Sequence, residues 1–521
     1  MDSSATGNDG APGSSGALAG SGEPGFSGAL AGSGEPGFSG ALAGPGEPGF
    51  SGALAGTGEP GFSGAFGEGC DGGQAAGPAS SACVVEKPRH VCALGAQHTV
   101  LAIRGGIPIV HAGPGCSSKL AATLNDASGL QGGGWAGGAN VPSTNFSENE
   151  VVFGGEAKLR ETVEGTLKVM KGELFVILTG CAPDIVGDDA ASVAREFRAR
   201  GHPVASAETG GFKGTNYQGH GSAVEAIIAD LVPDGKRAAR KGLVNVFPGV
   251  PFQNPFWRGD LRVLKGLVES LGLVPNILYG QDSRGLAAWK AIPEAELSLV
   301  VTPWTDLGAA EAVRGRFGVP VAHLPEAPTG AVQTTRFLTA LAEAAGVGAR
   351  RLKKTVAFEE ERFYDYMVTA AEYLTESRNA IPYRFLVAAD SGRAMSLAGF
   401  LVNEMGFTPG SVVITDDPPD WARDGIVSFF RNLDGVSVTP VFETDGGRAA
   451  EILAEDAGRE PGVMIFGSTW EREIAEATDS VLLRVSLPVY DRLVMSKSYL
   501  GYQGGLELLE DLHALILAKS A

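Results

Sequence analysis

Three cysteines stand out by their settings. Cys92 lies in Val91-Cys92-Ala93-Leu94-Gly95-Ala96, Cys116 closes Gly113-Pro114-Gly115-Cys116, and Cys181 sits between Thr179-Gly180 and Ala182-Pro183-Asp184-Ile185-Val186-Gly187-Asp188-Asp189. Small residues flank each sulfur, leaving room for a bulky group and for backbone N–H groups to approach it. Structural zinc sites bring their ligands in Cys-x2-4-Cys pairs. Here the separations are 24 residues (92 to 116) and 65 residues (116 to 181). A catalytic thiol needs one cysteine beside a base, and three similar settings suit that poorly. Buried structural cysteines are the plain alternative, because cysteine is common in cores. Iron–sulfur ligation accounts for the set better: thiolates suit iron, and N–H groups in the turns tune its potential. Three is one short of a four-cysteine cluster, so a partner chain would supply the rest.

These residues need a scaffold that brings distant loops together. Ile107–His111 reads as a short strand running into the Gly-Pro-Gly-Cys turn, and Leu174–Thr179 as an apolar strand ending at Gly180-Cys181. The Asp188/Asp189 pair suits the first turn of a helix through Ala190–Arg200, where the macrodipole favours negative charge. Loops at the carboxyl ends of parallel strands converge, so cysteines remote in sequence can meet there.

The rest of the chain repeats that alternation of strand and helix. Residues 82–240 form a first α/β domain, carrying the cysteines. The basic break Lys236–Lys241 precedes a second, 241–378, with strands at Leu243–Phe247, Asn276–Tyr279 and Leu297–Thr302. It ends in a connector helix over 351–378, whose Phe358, Phe363, Tyr366 and Met367 are expected in the core by their helical spacing. A third domain, 379–521, has strands at Arg384–Ala389, Val412–Thr415, Val436–Val441, Val463–Phe466 and Val481–Val485. The fold class is α/β, three Rossmann-like doubly wound parallel-sheet domains. A Gly/Pro-rich arm, 1–81, precedes them; its residues 16–63 are four copies of a twelve-residue unit. One Leu and one Phe per unit bury too little to offset ordering entropy, which predicts disorder. Cys70 and Cys83 lie in or beside that arm. Leu130–Asn140 is a glycine-loaded loop, long enough to expect a function of it.

The net charge of −19 argues against nucleic-acid binding, which needs a basic footprint. The start Met1-Asp2-Ser3-Ser4 lacks the charged and apolar regions of a signal peptide. No run of 18 apolar residues predicts a membrane span. Five cysteines, an odd number in a chain read as leaderless, make a disulfide framework improbable. The expected location is the cytoplasm.

Larger motifs surround the cysteines: Asn145-Phe-Ser-Glu-Asn-Glu-Val-Val-Phe-Gly-Gly155, Thr179-Gly-Cys-Ala-Pro-Asp-Ile-Val-Gly-Asp-Asp189, Leu487-Pro-Val-Tyr-Asp-Arg492 and Tyr499-Leu-Gly-Tyr-Gln-Gly-Gly505. With the settings of Cys92 and Cys116, they resemble the nitrogenase component 1 family over roughly residues 85–521. The resemblance implies that Cys92, Cys116 and Cys181 are this chain's three ligands to an 8Fe-7S P-cluster at the interface with a related subunit. In that family the α-type chain also holds the catalytic metallocluster, through a later cysteine and a histidine. This chain has no cysteine after Cys181, and His513 lies outside any matching motif, so it resembles the β-type subunit. The implied partners are an α-type subunit, in an α2β2 heterotetramer, and an ATP-dependent iron protein. The catalytic iron–sulfur metallocluster would sit in the α-type partner. Phe146 and Glu148–Glu150 are candidates for the docking region of the iron protein.

One departure bears on the substrate. The dinitrogenase β subunit carries a serine that binds the oxidised P-cluster, and Gly211, in Glu208-Thr-Gly-Gly-Phe212, falls at its position, with Thr215 near but not equivalent. Together with the glycine loop, this points to a nitrogenase-like branch, the methylthio-alkane reductases, which cleave C–S bonds in small organic sulfides. A true dinitrogenase and a cofactor-assembly scaffold are the alternatives within the fold. An α/β binding protein with structural cysteines is the alternative outside that function.

Overall fold

The computed structural model describes residues 87–130, 141–235, 237–376, 381–460 and 462–520. The repeat arm with Cys70 and Cys83, and all but the first residue of the glycine loop 130–140, lie outside these. The described chain builds three sheets in which every neighbouring pair of strands is parallel.

The first sheet holds β1 (Gly106–His111), β2 (Leu174–Thr179) and β3 (Val204–Glu208), in that order. β1 and β2 are buried along their whole length, as a parallel strand covered on both faces must be. Side-chain alternation splits the sheet into two faces. Ile107, Ile109, Phe175, Ile177 and Val204 meet Leu159, Val163, Val193 and Phe197 of the helices Glu156–Val169 and Ala190–Ala199. Val110, Val176, Leu178 and Ala205 face the larger core with Val224 and Ile227 of the helix Asn216–Leu231.

The second sheet runs β5 (Val274–Ile277), β4 (Leu243–Phe247), β6 (Leu297–Val300), β7 (Val321–His323). The third runs β10 (Val441–Phe442), β9 (Thr408–Ile414), β8 (Arg384–Ala389), β11 (Met464–Gly467), β12 (Val481–Arg484). In both, the first strand in sequence lies inside the sheet, and the chain winds to one side of it and then the other. One continuous apolar core reaches all three sheets.

Several expectations need correction. Cys116 belongs to the first turn of a helix, Pro114–Ala127, rather than to a turn before one: Pro114 has the fixed φ and missing N–H that suit a helix start. The strand expected over Val436–Val441 shrinks to Val441–Phe442, and three-residue β7 was too short to show as an apolar run. The connector helix spans Ala349–Glu376, but of its four aromatic and Met positions only Phe363 is buried. Met367 is partly buried against the core, while Phe358 and Tyr366 stand 61% and 53% exposed. Helical spacing put apolar residues on more than one face, and only one face has something to pack on. Among the described residues no helix is long and apolar enough to cross a membrane.

Candidate functional site

Each cysteine is placed at the beginning of a helical turn. β1 delivers the chain through Ala112 and Gly113 to Cys116, whose N–H donates to Gly113 O at 3.1 Å. β2 ends at Gly180, where a Cβ would come within 2.5 Å of the Ala112 Cβ, so glycine lets the two loops touch. Gly180 N–H donates to His111 O at 2.9 Å, and Cys181 then opens the helix Cys181–Val186. Cys92 precedes the 3-10 turn Ala93–Ala96 and bridges to Thr215, with Ala93 N–H on Gly214 O at 2.9 Å and Asn216 N–H on Val91 O at 2.8 Å. Buried Gln97 ties the first two settings together, donating from Nε2 to Cys116 O at 2.9 Å.

Cys92 and Cys181 meet across Gly211, and Cys116 is close enough for both to act on its thiol. A Cβ on Gly211 would lie 3.1 Å from Cys181 Sγ, 3.3 Å from Cys92 Cβ and 3.7 Å from Cys92 Sγ. Gly211 N–H donates to Cys181 Sγ at 3.0 Å. All three thiols are free; Cys92 is half-buried, Cys116 and Cys181 are exposed. Burial pushes the Cys92 thiol up, opposed by hydrogen bonds from the backbone N–H groups of Leu94 and Gly95. Partial desolvation pushes Cys116 up, and the neighbouring Cys92 and Cys181 push the same way. Among the described residues no three His, Cys, Asp or Glu side chains close on a point the size of one metal ion.

A buried fork behind the cysteines holds their loops. Asp188 accepts from Gly155 N–H with both oxygens, at 3.0 and 2.9 Å, and pairs with His111 Nε2 at 2.9 Å. His111 Nδ1 meets Thr144 Oγ1 at 3.1 Å. Burial pushes His111 down despite the Asp188 carboxylate, so the ring is neutral near pH 7, with Nε2–H donating to Asp188. Gly155 has no room for a side chain: a Cβ would sit 2.5 Å from the Phe146 ring, 2.7 Å from Asp188 and 2.8 Å from His111. The Asp pair is therefore divided. Asp189 caps the helix Ala190–Ala199 through Ser192 N–H at 2.7 Å, and Asp188 turns inward.

The docking candidates change accordingly. Phe146 is buried against the His111 ring, with centroids 5.3 Å apart. Glu150 is also buried: it closes a capping box on Ser147, whose hydroxyl and N–H hold its carboxyl down at about 2. Only Glu148 and Asn149 remain exposed. The exposed feature that sequence reading missed is apolar. Val152 (70%), Phe153 (80%), Ile185 (75%) and Phe212 (61%) project from the segments around Cys181. The Val151-Val152-Phe153 run beside a buried capping residue was the available signal. Contiguous exposed apolar patches are typical of interaction surfaces in general.

A family model described as nitrogenase component 1 type oxidoreductase matches residues 92–517, beginning at the first of the three cysteines. The chain belongs to this family. Among its relatives is the nitrogenase molybdenum-iron protein beta chain of Methanothermobacter thermautotrophicus, 26% identical over 458 residues, covering 82% of this chain and 92% of that one. The corresponding beta chain of Frankia alni is 26% identical over 473 residues, covering 84% of each. A solved structure, nitrogenase Cp1 at pH 6.5, superposes with a TM-score of 0.68 at 21% identity, over 85% of this chain and 95% of the other, and so shares its fold. The protein is thus a nitrogenase-family oxidoreductase subunit, and nitrogenase beta chains are among its relatives. His513 lies in the last helix, Gly501–Ser520, with Nδ1 2.8 Å from Leu509 O, a contact internal to that helix.

Proposed function

We propose that this chain is the β-type subunit of a nitrogenase-like reductase and that Cys92, Cys116 and Cys181 hold its half of an 8Fe-7S P-cluster. The observation that carries this is the gathering of three free thiols from separate loops, Cys92 and Cys181 across Gly211 and Cys116 beside them, two of the three exposed. The residues fit such a group. The cradle is one that a Cβ at 211 would crowd, and two of its three thiols are exposed, open to a group shared with a partner. A cluster bound there supplies one-electron transfer.

The chain's own residues do three things in this reading. The N–H groups of Gly211, Leu94 and Gly95 stabilise thiolate charge. The Asp188–His111–Gly155 fork fixes the Cys116 and Cys181 loops relative to each other. Val152, Phe153, Ile185 and Phe212 meet the α-type subunit and exclude water from the sulfurs. That partner would hold the catalytic iron–sulfur metallocluster, and an ATP-dependent iron protein would deliver the electrons. The exposed Phe358 and Tyr366 of the connector helix give a second surface, suited to joining two αβ halves into an α2β2 heterotetramer in the cytoplasm. We read the three sheets as the centres of three domains, 82–240, 241–378 and 379–521.

For substrate we favour small methylthio-alkanes. Gly211, beside Cys181 and Cys92, offers no side-chain oxygen, so an oxidised cluster would gain no serine ligand at that position. The beta-chain relatives favour a second reading, a true dinitrogenase. Anaerobic turnover of the complex with its reductase separates them. Thiol release from a methylthio-alkane supports the first reading. Rapid ammonia production from dinitrogen without thiol release overturns it. No multiple turnover of either substrate would indicate an assembly scaffold.

A further inference from the structure

A second site lies away from the cysteines, where the loops after β4, β6, β8 and β9 meet. They line a partly open cavity with about 80 Å³ of internal volume. β4 and β6 are the strands between which the winding of the second sheet reverses, and crevices at such switch points are where open α/β sheets take ligands.

Two of the carboxylates lining this cavity are fully engaged, and Asp390 accepts from Arg393 N–H at 2.9 Å. Asp260 accepts from Arg393 at 2.8 Å, Asn254 at 2.7 Å and Ser498 at 2.6 Å. Asp416 accepts from Ser391 N–H at 2.9 Å, Ser391 Oγ at 2.6 Å and Trp304 Nε1 at 2.8 Å. The donors are not. Arg393 Nη1, Trp257 Nε1 and Thr305 Oγ1 are buried, line the same cavity and find no hydrogen-bond partner among the described residues. Arg393 and Trp257 are only 5% and 6% exposed. Buried donors left unpaired are costly, and three around one cavity call for an acceptor inside it.

Size and charge narrow the choice. A dry cavity of about 150 Å³ takes benzene, so about 80 Å³ holds on the order of four heavy atoms. One of the three donors is a guanidinium, which matches a carboxylate best. Three carboxyls share this lining: Asp260 holds Arg393 through Nη2, leaving Nη1 as its free donor, and Asp390 and Asp416 oppose an incoming anion. Burial pushes both opposing carboxyls up, Asp416 to about 6, which reduces the repulsion an anion would meet. We infer that this cavity binds a small carboxylate of acetate size through Arg393 Nη1, Trp257 Nε1 and Thr305 Oγ1. The inference does not depend on the cysteine assignment.

The test is calorimetric titration of the purified full-length complex with acetate, and with acetamide as the neutral isostere, at pH 6. Four heavy atoms limit the affinity to roughly tens of micromolar at best. Trp257→Phe and Thr305→Val keep the packing and remove one donor each. Each is expected to weaken acetate binding about tenfold. Acetamide should bind at least about tenfold more weakly than acetate. Equal binding of acetate and acetamide, unchanged binding in both variants, or a cavity holding only water in a crystal soaked with acetate would overturn the inference.

Discussion

Removing the Asp188 carboxylate should loosen three segments together. Its side chain is 4% exposed, and it accepts from Gly155 N–H and from the neutral His111 ring. Asp188→Ala leaves both donors buried and unpaired. A hydrogen bond to a charged group is worth about 1.5–3 kcal/mol, so losing both costs about 3–6 kcal/mol. The damage is local, because the fork joins the end of β1, the Phe146–Gly155 segment and the Cys181 helix without reaching the other sheets. Hydrogen exchange read by mass spectrometry suits it better than global unfolding, since a chain of this size will not melt in one step. A loss of about 3 kcal/mol corresponds to roughly 100-fold faster exchange in residues 111–116, 144–155 and 179–189. Gly155→Ala should give a similar pattern, because its Cβ would displace Asp188 Oδ2 and His111 Cε1. The double variant should cost less than the sum of the two by at least about 1 kcal/mol, since both break one fork. Exchange within about threefold of wild type for Asp188→Ala, or additive single effects, would refute this account of how the loops are held.

Other expectations follow from the same contacts. Gly211→Val should lower the iron content of the complex through crowding against Cys181 and Cys92, while Gly211→Ser should keep the iron and alter the spectrum of the oxidised cluster; iron assay and electron paramagnetic resonance read both. Arg89→Met should cost about 3–5 kcal/mol, because it strands the buried Glu471 carboxylate it pairs with, and thermal unfolding of the complex checks it. Asp416 has a folded value of about 6, above the usual carboxylate value of about 4. Its stabilising contribution is complete below about pH 4 and is lost as pH rises through about 6. Wild type should therefore lose ground to Asp416→Asn between pH 4 and 7, read as the difference in Tm. Deleting residues 1–66 should leave the complex intact on size-exclusion chromatography, since one Leu and one Phe per repeat bury little.

What sequence could reach was set by how local each feature is. The strands carrying Cys116 and Cys181 are continuous apolar runs flanked by glycine, so their loops and the parallel architecture were readable from Ile107–His111 and Leu174–Thr179. Asp188 and Asp189 were not separable, because only the folded chain brings Gly155 and His111 to one of them. Phe146 and Glu150 sit in a motif that reads as an exposed loop, yet one packs on His111 and the other caps its own helix. Phe358 and Tyr366 have core spacing but stand exposed, because helical spacing alone does not say which face meets the rest of the chain. The unpaired donors Arg393, Trp257 and Thr305 come from three loops, and no spacing links them.

The central claim is that Cys92, Cys116 and Cys181 together hold iron. The most direct measurement is iron and acid-labile sulfide in the anaerobically purified complex, for wild type and for Ala variants at all five cysteines. The account predicts about eight interfacial irons per αβ pair in wild type, beyond those of the partner's own cluster. It predicts loss of that iron and its reduced-state spectrum for Cys92→Ala, Cys116→Ala and Cys181→Ala, and near-wild-type values for Cys70→Ala and Cys83→Ala. A full iron content with an unchanged spectrum in Cys181→Ala would contradict it.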